Sequence, residues 1–140
     1  MTAKPRVACD TNVLVSAFIA GGPPSRIIEE IVDGNIDLVL LEPAMVELVR
    51  ILSEKLGFTI ERLKEVQALL SDIAAESQQT PRQEPQALTG DPDDDLILAC
   101  AVEAQVDVLI SGDRKHLLPV EEHHGVRILT PQAFLAELRT

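Results

Sequence analysis

The chain has 140 residues, 46% of them hydrophobic, which predicts one compact domain over residues 1–140 and argues against a disordered chain. Twelve basic and 23 acidic residues give a net charge of −11, which argues against the broad basic surface of many nucleic-acid-binding proteins. Bound cations, a basic protein partner or a solvated acidic surface are each compatible with this charge. The apolar runs are too short to span a membrane, and Met1–Arg6 lacks the apolar segment of a signal peptide, so we expect a cytoplasmic protein.

The first third of the chain alternates short apolar runs with helical patterns. Arg6–Asp10 predicts a strand, and Asn12–Ile19 predicts a short helix after it. Ser25–Asp33 has an apolar helical face and is followed by Gly34, a residue typical of helix C-termini. Asp37–Leu41 is apolar after its first residue, which favours a strand buried on both faces.

The middle of the chain predicts two helices and a long connection. An apolar stripe at helical spacing runs from the turn at Pro43 to Leu56, and Gly57 breaks it. Thr59–Glu76 predicts a second helix. Ser77–Pro92 is polar and proline-containing, with one possible short strand at residues 87–88.

The last third returns to the strand and helix alternation. The run of aspartates at residues 91–95 opens a helix that extends to about Gln105 and is apolar all round, so it should be buried. Val108–Ser111 and Val126–Leu129 predict strands, and Thr130-Pro131 caps a final helix, Gln132–Leu138. Short strands alternating with helices predict a central parallel sheet with helices on both faces.

Two aspartates follow predicted strands directly. Asp10 ends the first strand and Asp113 follows Val108–Ser111. Because ligands bind outside the carboxyl ends of parallel strands, we expect Asp10 and Asp113 to meet there. Each also has an ordinary structural interpretation, a helix cap for Asp10 and a turn for Asp113.

Two further acids are candidates for the same cluster. Asp91, Asp93, Asp94 and Asp95 crowd the start of one helix, where one or two would suffice for capping, and Asp95 begins the buried segment. Glu47 flanks an apolar helix face, although a solvated pair with Arg50 would also explain it. Glu42 and Glu54 are alternatives to Glu47.

The chemistry of these four acids favours a hard cation. Carboxylate oxygens without cysteine or histidine suit Mg²⁺ or Mn²⁺ and not structural zinc. Cys9 and Cys100 lie in apolar runs and are predicted to be buried thiols. The histidines at positions 116, 123 and 124 show no zinc spacing, and we expect them on the surface, with His116 a candidate for substrate contact.

The ordered set of motifs resembles the PIN-domain family, in particular the VapC-like toxin components of toxin–antitoxin systems. The motifs are Asp10-Thr11-Asn12, Glu47-Leu48, the aspartate run at residues 91–95, and Ser111-Gly112-Asp113. The resemblance covers nearly the whole chain. It implies a Rossmann-like three-layer α/β/α sandwich with a mainly parallel central sheet.

The resemblance also implies a function. It implies an Mg²⁺- or Mn²⁺-dependent endoribonuclease that forms a homodimer and is inhibited by a small antitoxin protein. The family's acidic quartet matches Asp10, Glu47, Asp95 and Asp113, and Asp94 replaces Asp95 if the register is shifted by one residue. Polar positions around the metal match Thr11, Asn12, Ser16 and Ser111.

The same residues argue against two other classes of α/β protein and leave one alternative to the nuclease. An aspartyl-phosphate phosphatase needs a second aspartate where this chain has Asn12, and an acid after Asp113 where it has Arg114. A response-regulator receiver domain needs an acidic neighbour for Asp10 and a lysine at the end of a late strand, and both are missing. A catalytically silent PIN-like module that binds a basic protein remains the alternative to the nuclease.

Overall fold

The computed structural model describes residues 4–139. The prediction from Met1–Arg6 that no signal peptide is present lies partly outside these residues. The strands are β1 (Arg6–Cys9), β2 (Asp37–Leu41), β3 (Ala74–Gln78), β4 (Val108–Ile110), β5 (Glu122–His123) and β6 (Val126–Leu129). The α-helices are α1 (Thr11–Ile19), α2 (Pro23–Val32), α3 (Glu42–Arg50), α4 (Ile60–Ile73), α5 (Pro92–Glu103) and α6 (Pro131–Leu138).

These strands form one sheet in the order β3-β2-β1-β4-β6-β5. The first five strands of this order run parallel, and β5 pairs antiparallel to β6. The chain passes from β1 to β2 and β3 on one side and then returns to β4 and β6 on the other. Because parallel crossovers are right-handed, crossovers in opposite directions place their helices on opposite faces of the sheet. The predicted three-layer α/β/α architecture is confirmed.

Burial explains why the apolar runs form the centre of this sheet. Strands β1, β2 and β4 contribute side chains that are almost completely buried, among them Val7, Leu38 and Leu109. Helices α1, α2 and α6 pack together, while α5 packs against β2 and β3. The apolar residues of α5 are buried as its all-round apolar pattern predicts.

The order of strands reverses between β1 and β4, and this point positions the two strand-end aspartates. Cys9 pairs with Ile110, and the backbone N–H of Asp10 donates to the Ile110 carbonyl at 2.9 Å. The carboxyl ends of β1 and β4 are therefore adjacent. In open α/β sheets, the crevice at such a reversal is where ligands bind.

The structure corrects the predicted elements in the middle of the chain. Helix α4 ends at Ile73, and Ala74–Gln78 pairs with β2 as a strand, where the sequence predicted helix to Glu76. The Arg6 guanidinium bonds both carboxylate oxygens of Glu76, at 3.1 Å each, and so holds this edge strand to the sheet. Residues 87–88 lie in irregular backbone and form no strand.

Smaller differences lie at the ends of other elements. The helix predicted to run to Leu56 consists of α3 and one π-helical turn, Ile51–Lys55. At the end of this turn, the Leu56 N–H donates to the Ile51 carbonyl at 3.1 Å. The short strand β5 was not predicted. The predicted cap of α6 is confirmed, because the Thr130 hydroxyl accepts from the Ala133 N–H at 3.0 Å. Within residues 4–139, no helix is both long and apolar enough to cross a bilayer.

Replacing Leu109 by alanine tests the core at the strand beside the reversal point. Leu109 is completely buried, so Leu109→Ala should lower the free energy of unfolding by about 3 kcal/mol through lost burial and a residual cavity. Urea denaturation followed by circular dichroism measures this. Val46→Ala is the matched control, because Val46 is 65% exposed on α3 and should change stability by less than about 0.5 kcal/mol. Equal losses in the two variants would contradict the packing described for β4.

Candidate metal centre

Asp10 lies at the carboxyl end of β1 and is only 4% exposed. One carboxylate oxygen, Oδ1, accepts from the Val13 N–H at 2.9 Å, so Asp10 does cap α1. The other, Oδ2, accepts a short hydrogen bond from the Ser111 hydroxyl at the end of β4. The helix cap and the position at the reversal point are therefore both present, and one does not exclude the other.

The pKa of Asp10 shows that its charge is not fully compensated. Burial raises the pKa, the hydrogen bonds from Ser111 and Val13 lower it, and the charges of Asp113 and Glu47 raise it again, to about 6. A nearby cation stabilises the ionised form of a carboxylate that is buried beside other carboxylates. Asp10 is thus suited to hold one.

Ser111 and Asp113 continue the site from the end of β4. Ser111 is completely buried and, besides donating to Asp10, accepts from the Asp113 N–H at 3.0 Å. The Asp113 Oδ1 then accepts from the N–H groups of Lys115 and His116, at 3.0 Å each. One serine hydroxyl therefore fixes the relative positions of Asp10 and Asp113.

Asp94, in the first turn of α5, is the helix acid that lies against Asp113. Burial raises its pKa first, and a hydrogen bond shared with Asp113 and the charges of Asp113, Asp91 and Asp10 raise it further, to about 7. The pKa of Asp113 is lowered, because the hydrogen bonds from Asp94, His116 and Lys115 outweigh its burial. Together these two carboxyl groups hold a proton that a cation would displace.

Asp95 is turned away from this pair, contrary to its predicted place in the quartet. It is 8% exposed, and its Oδ1 accepts from the Thr89 N–H and hydroxyl at 2.8 Å each and from the Leu88 N–H at 3.0 Å. Burial opposes its ionisation, but these hydrogen bonds outweigh it and lower the pKa. Successive helical residues point about 100° apart, so only one of Asp94 and Asp95 can face Asp113.

Glu47 stands at the rim of the site on α3. Its side chain is 36% exposed and lies 3.6 Å from the Arg50 guanidinium, the ordinary pair that the sequence also suggested. Its charge nevertheless reaches Asp10, whose pKa it raises. The alternatives face other partners, since Glu42 accepts from the Thr80 hydroxyl at 3.1 Å and Glu54 lies 3.5 Å from Arg50.

His116 was predicted at the surface, yet it lies beside the acids. Its Nδ1 is 3.3 Å from Oδ2 of Asp113 and 3.6 Å from Oδ2 of Asp94. Asp91, Asp94 and His116 each offer one ligand atom, all within 4.8 Å of one another. The spacing of Asp113 and His116 in a tight turn is the sequence signal that would have placed this histidine.

The other predicted polar residues lie in the first two turns of α1, close to Asp10 in sequence. Thr11 is buried, Ser16 is half-buried and Asn12 is exposed. Their contact with a metal or its waters stays a prediction. Cys9 and Cys100 are buried free thiols as predicted, and burial, with the charge of Asp10, raises the pKa of Cys9 to about 12.

The donor set fits a divalent cation with a preference for oxygen ligands. The carboxylates of Asp10, Asp94 and Asp113 interact with one another, and burial first and their mutual repulsion second raise the pKa values of Asp10 and Asp94. The imidazole of His116 adds a nitrogen donor, which Mn²⁺ accepts more readily than Mg²⁺. The arrangement can bind a cation and, through it, a phosphate group.

The raised pKa values predict how stability changes with pH in metal-free protein. Because the folded chain holds protons on Asp10 and Asp94 up to about pH 6 and 7, against 3.8 in the unfolded chain, folding takes up protons in this window. The free energy of unfolding should therefore fall as pH rises from about 4 to 7, and Asp94→Asn should remove part of that fall.

Thermal unfolding at several pH values measures this difference. Comparison with the variant cancels opposing contributions, such as that of His123, whose pKa is lowered by burial. Asp93→Asn, an exposed residue of the same turn, is the matched control and should follow the wild type. A pH profile of Asp94→Asn identical to that of the wild type would contradict the repulsion described here.

Comparison with known proteins agrees with this geometry. No protein of curated function matches the chain significantly. The family model described as PIN domain matches residues 6–115, from the start of β1 to the turn that carries Asp113. PIN domains are generally metal-dependent nucleases, and the matched segment contains Asp10, Glu47 and Asp94. The match covers well over half of the length of this chain, and the chain therefore belongs to the PIN domain family.

Proposed function

We propose that this protein is an Mg²⁺- or Mn²⁺-dependent endoribonuclease and the toxin of a toxin–antitoxin pair. The observation that carries the proposal is the convergence of Asp10, Asp94 and Asp113 at the reversal point of the sheet, with two pKa values raised. Acids arranged only for capping or surface pairing would not be buried against one another. Perturbed carboxylates in a crevice are typical of functional sites.

In this proposal, Asp10, Asp94 and Asp113 hold the cation, Asp91 and His116 offer further ligand atoms beside Asp94, and Glu47 lies at the rim. The cation would supply the positive charge that lowers the pKa of an attacking water and offsets the charge developing on the phosphate. The protein's own groups orient these ligands. Ser111 holds Asp10, and the N–H groups of Lys115 and His116 hold Asp113.

A groove of about 370 Å³ between α3 and α5 supports the proposal of an RNA substrate. Glu47 lines both this groove and the rim of the acid cluster, so a strand lying in the groove would pass the site. The Arg50 guanidinium offers hydrogen-bond donors to phosphate, and the exposed Val46 offers an apolar surface to a base. A bound cation would offset the negative charge of Glu42, Glu47 and Asp93, which line this groove, as a phosphate approaches.

The toxin assignment, the antitoxin and the homodimer are part of the proposal and rest on the resemblance to VapC-like toxins. The acidic surface suits a basic antitoxin segment. A toxin that cuts cellular RNA would act in the cytoplasm. The catalytically silent binding module is the competing outcome of the tests below.

Cleavage of a mixed RNA pool by purified protein tests the nuclease. We expect cleavage with Mn²⁺, none with EDTA, and a loss of at least about 100-fold in Asp10→Asn. Asparagine is itself a good helix cap, so the variant should keep the fold, and circular dichroism checks this. Asp72→Asn, exposed on α4, is the matched control and should cleave like the wild type.

Two results would decide against the nuclease. Full activity in Asp10→Asn would show that the acids at the reversal point do not carry the reaction. Absence of cleavage under all conditions, together with a demonstrated basic protein partner, would establish the silent binding module instead.

Controlled expression in bacteria tests the toxin role. Induction of the wild type should arrest growth, because cleaved RNA halts translation, whereas Asp10→Asn should leave the growth rate unchanged at equal protein level. Growth curves with immunoblots measure both. Normal growth with an enzyme that is active in vitro would remove the toxin assignment and leave the nuclease.

A further inference from the structure

We propose that Asp95 is a positioning residue for the metal centre, acting through Thr89 on the loop Leu88–Asp91, here called the 88–91 loop. In this view Asp95 binds no metal and instead fixes where Asp91 and His116 stand beside Asp94. The inference rests on the proposed metal-dependent function.

The contacts of Asp95 go beyond what helix α5 requires. Asp91 already caps α5, since its Oδ1 accepts from the N–H groups of Asp93 at 2.8 Å and Asp94 at 3.4 Å. Asp95 instead directs one oxygen at Thr89 and Leu88, outside the helix. Burying a carboxylate is costly unless it is hydrogen-bonded, so a carboxylate with three donors to one oxygen must fix the position of that loop firmly.

The Thr89 hydroxyl transmits this contact to Asp91. Its oxygen lies 2.8 Å from Oδ1 of Asp95, 3.1 Å from the Asp91 N–H nitrogen and 2.9 Å from the Asp91 carbonyl oxygen. A hydroxyl has one proton, and a carboxylate is the stronger acceptor, so it donates to Asp95 and accepts from the Asp91 N–H. Moving Asp95 or removing this hydroxyl therefore removes the contact that holds the Asp91 N–H, and the helical bond from the Asp95 N–H to the Asp91 carbonyl, at 2.9 Å, is then left to hold the Asp91 backbone.

The same loop passes close to His116. Gly90 has a positive φ of 85°, and a Cβ built on it would lie 3.7 Å from Cδ2 of the His116 ring. The loop backbone thus passes beside the imidazole. Asp91, Asp94 and His116 are the three residues whose ligand atoms lie within 4.8 Å of one another. The 88–91 loop contains the first of them, Asp91, and passes beside the third, His116.

Mn²⁺ affinity in two pairs of variants tests the inference. Thr89→Val removes the hydroxyl and keeps the shape, whereas Thr89→Ser keeps the hydroxyl. Asp95→Ala removes the acceptor, whereas Asp95→Asn keeps an oxygen for the Thr89 and Leu88 N–H groups. By electron paramagnetic resonance of free Mn²⁺, we expect the dissociation constant to rise about tenfold in Thr89→Val and Asp95→Ala. It should stay within about threefold of the wild type in Thr89→Ser and Asp95→Asn.

A control variant separates positioning from general loss of stability. Leu70→Ala removes a completely buried side chain of α4, far in sequence from the loop, and should lower the melting temperature without changing Mn²⁺ affinity. Equal weakening of Mn²⁺ binding in Leu70→Ala would overturn the inference. So would wild-type affinity in both Thr89→Val and Asp95→Ala.

The His116 ring signals in NMR spectra of metal-free protein give a second readout. They should shift in Thr89→Val and Asp95→Ala and stay in place in Thr89→Ser and Leu70→Ala, because only the first two free Gly90 from its position. If the wild type binds no Mn²⁺, the proposed metal-dependent function fails, and these spectra decide the positioning role alone. Unchanged His116 signals in both variants would overturn it.

Discussion

The constraint on which this structure depends is the cost of burying carboxylates beside one another at one edge of a sheet. Asp10 is almost fully buried, and burial, with a smaller contribution from the charges of Asp113 and Glu47, raises its pKa from 3.8 to about 6, which corresponds to roughly 3 kcal/mol against the ionised form. The sheet offsets that cost by its buried central strands and by one hydroxyl, that of Ser111, which bonds the end of β1 to the end of β4.

The sequence predicted this edge because the rule behind it is geometrical. Parallel strands end on the same side of a sheet, so aspartates that follow two buried strands share one edge, and they lie close together because β1 and β4 are neighbours. The proximity of Asp10 and Asp113 could therefore be predicted without knowing any side-chain contact. The α/β alternation and most helix and strand positions followed from equally local patterns, such as the apolar run of Asp37–Leu41.

The features that the sequence did not predict depend on contacts between distant segments. Ala74–Gln78 has no β-branched or aromatic residue and becomes a strand because β2 offers it a free edge and Arg6 pairs with Glu76. The choice between Asp94 and Asp95 depends on a loop that reaches back to the helix start, which no periodicity reveals. His116 reaches the acids only because the Asp113 carboxylate accepts two N–H groups of the following turn.

Asp94 and Asp95 show how environment assigns different chemistry to identical neighbours. Both carboxyl groups begin α5, but hydrogen bonds from Thr89 and Leu88 lower the pKa of Asp95, while burial and Asp113 raise that of Asp94 to about 7. A carboxylate already satisfied by three donors gains little from a cation, whereas one that repels its neighbours gains much. The cation should therefore bind on the side of Asp94. Asp95, whose hydrogen bonds are already made, can instead serve as a rigid support for the loop before α5. A helix that begins with several aspartates can thus supply a metal ligand and a structural support within one turn.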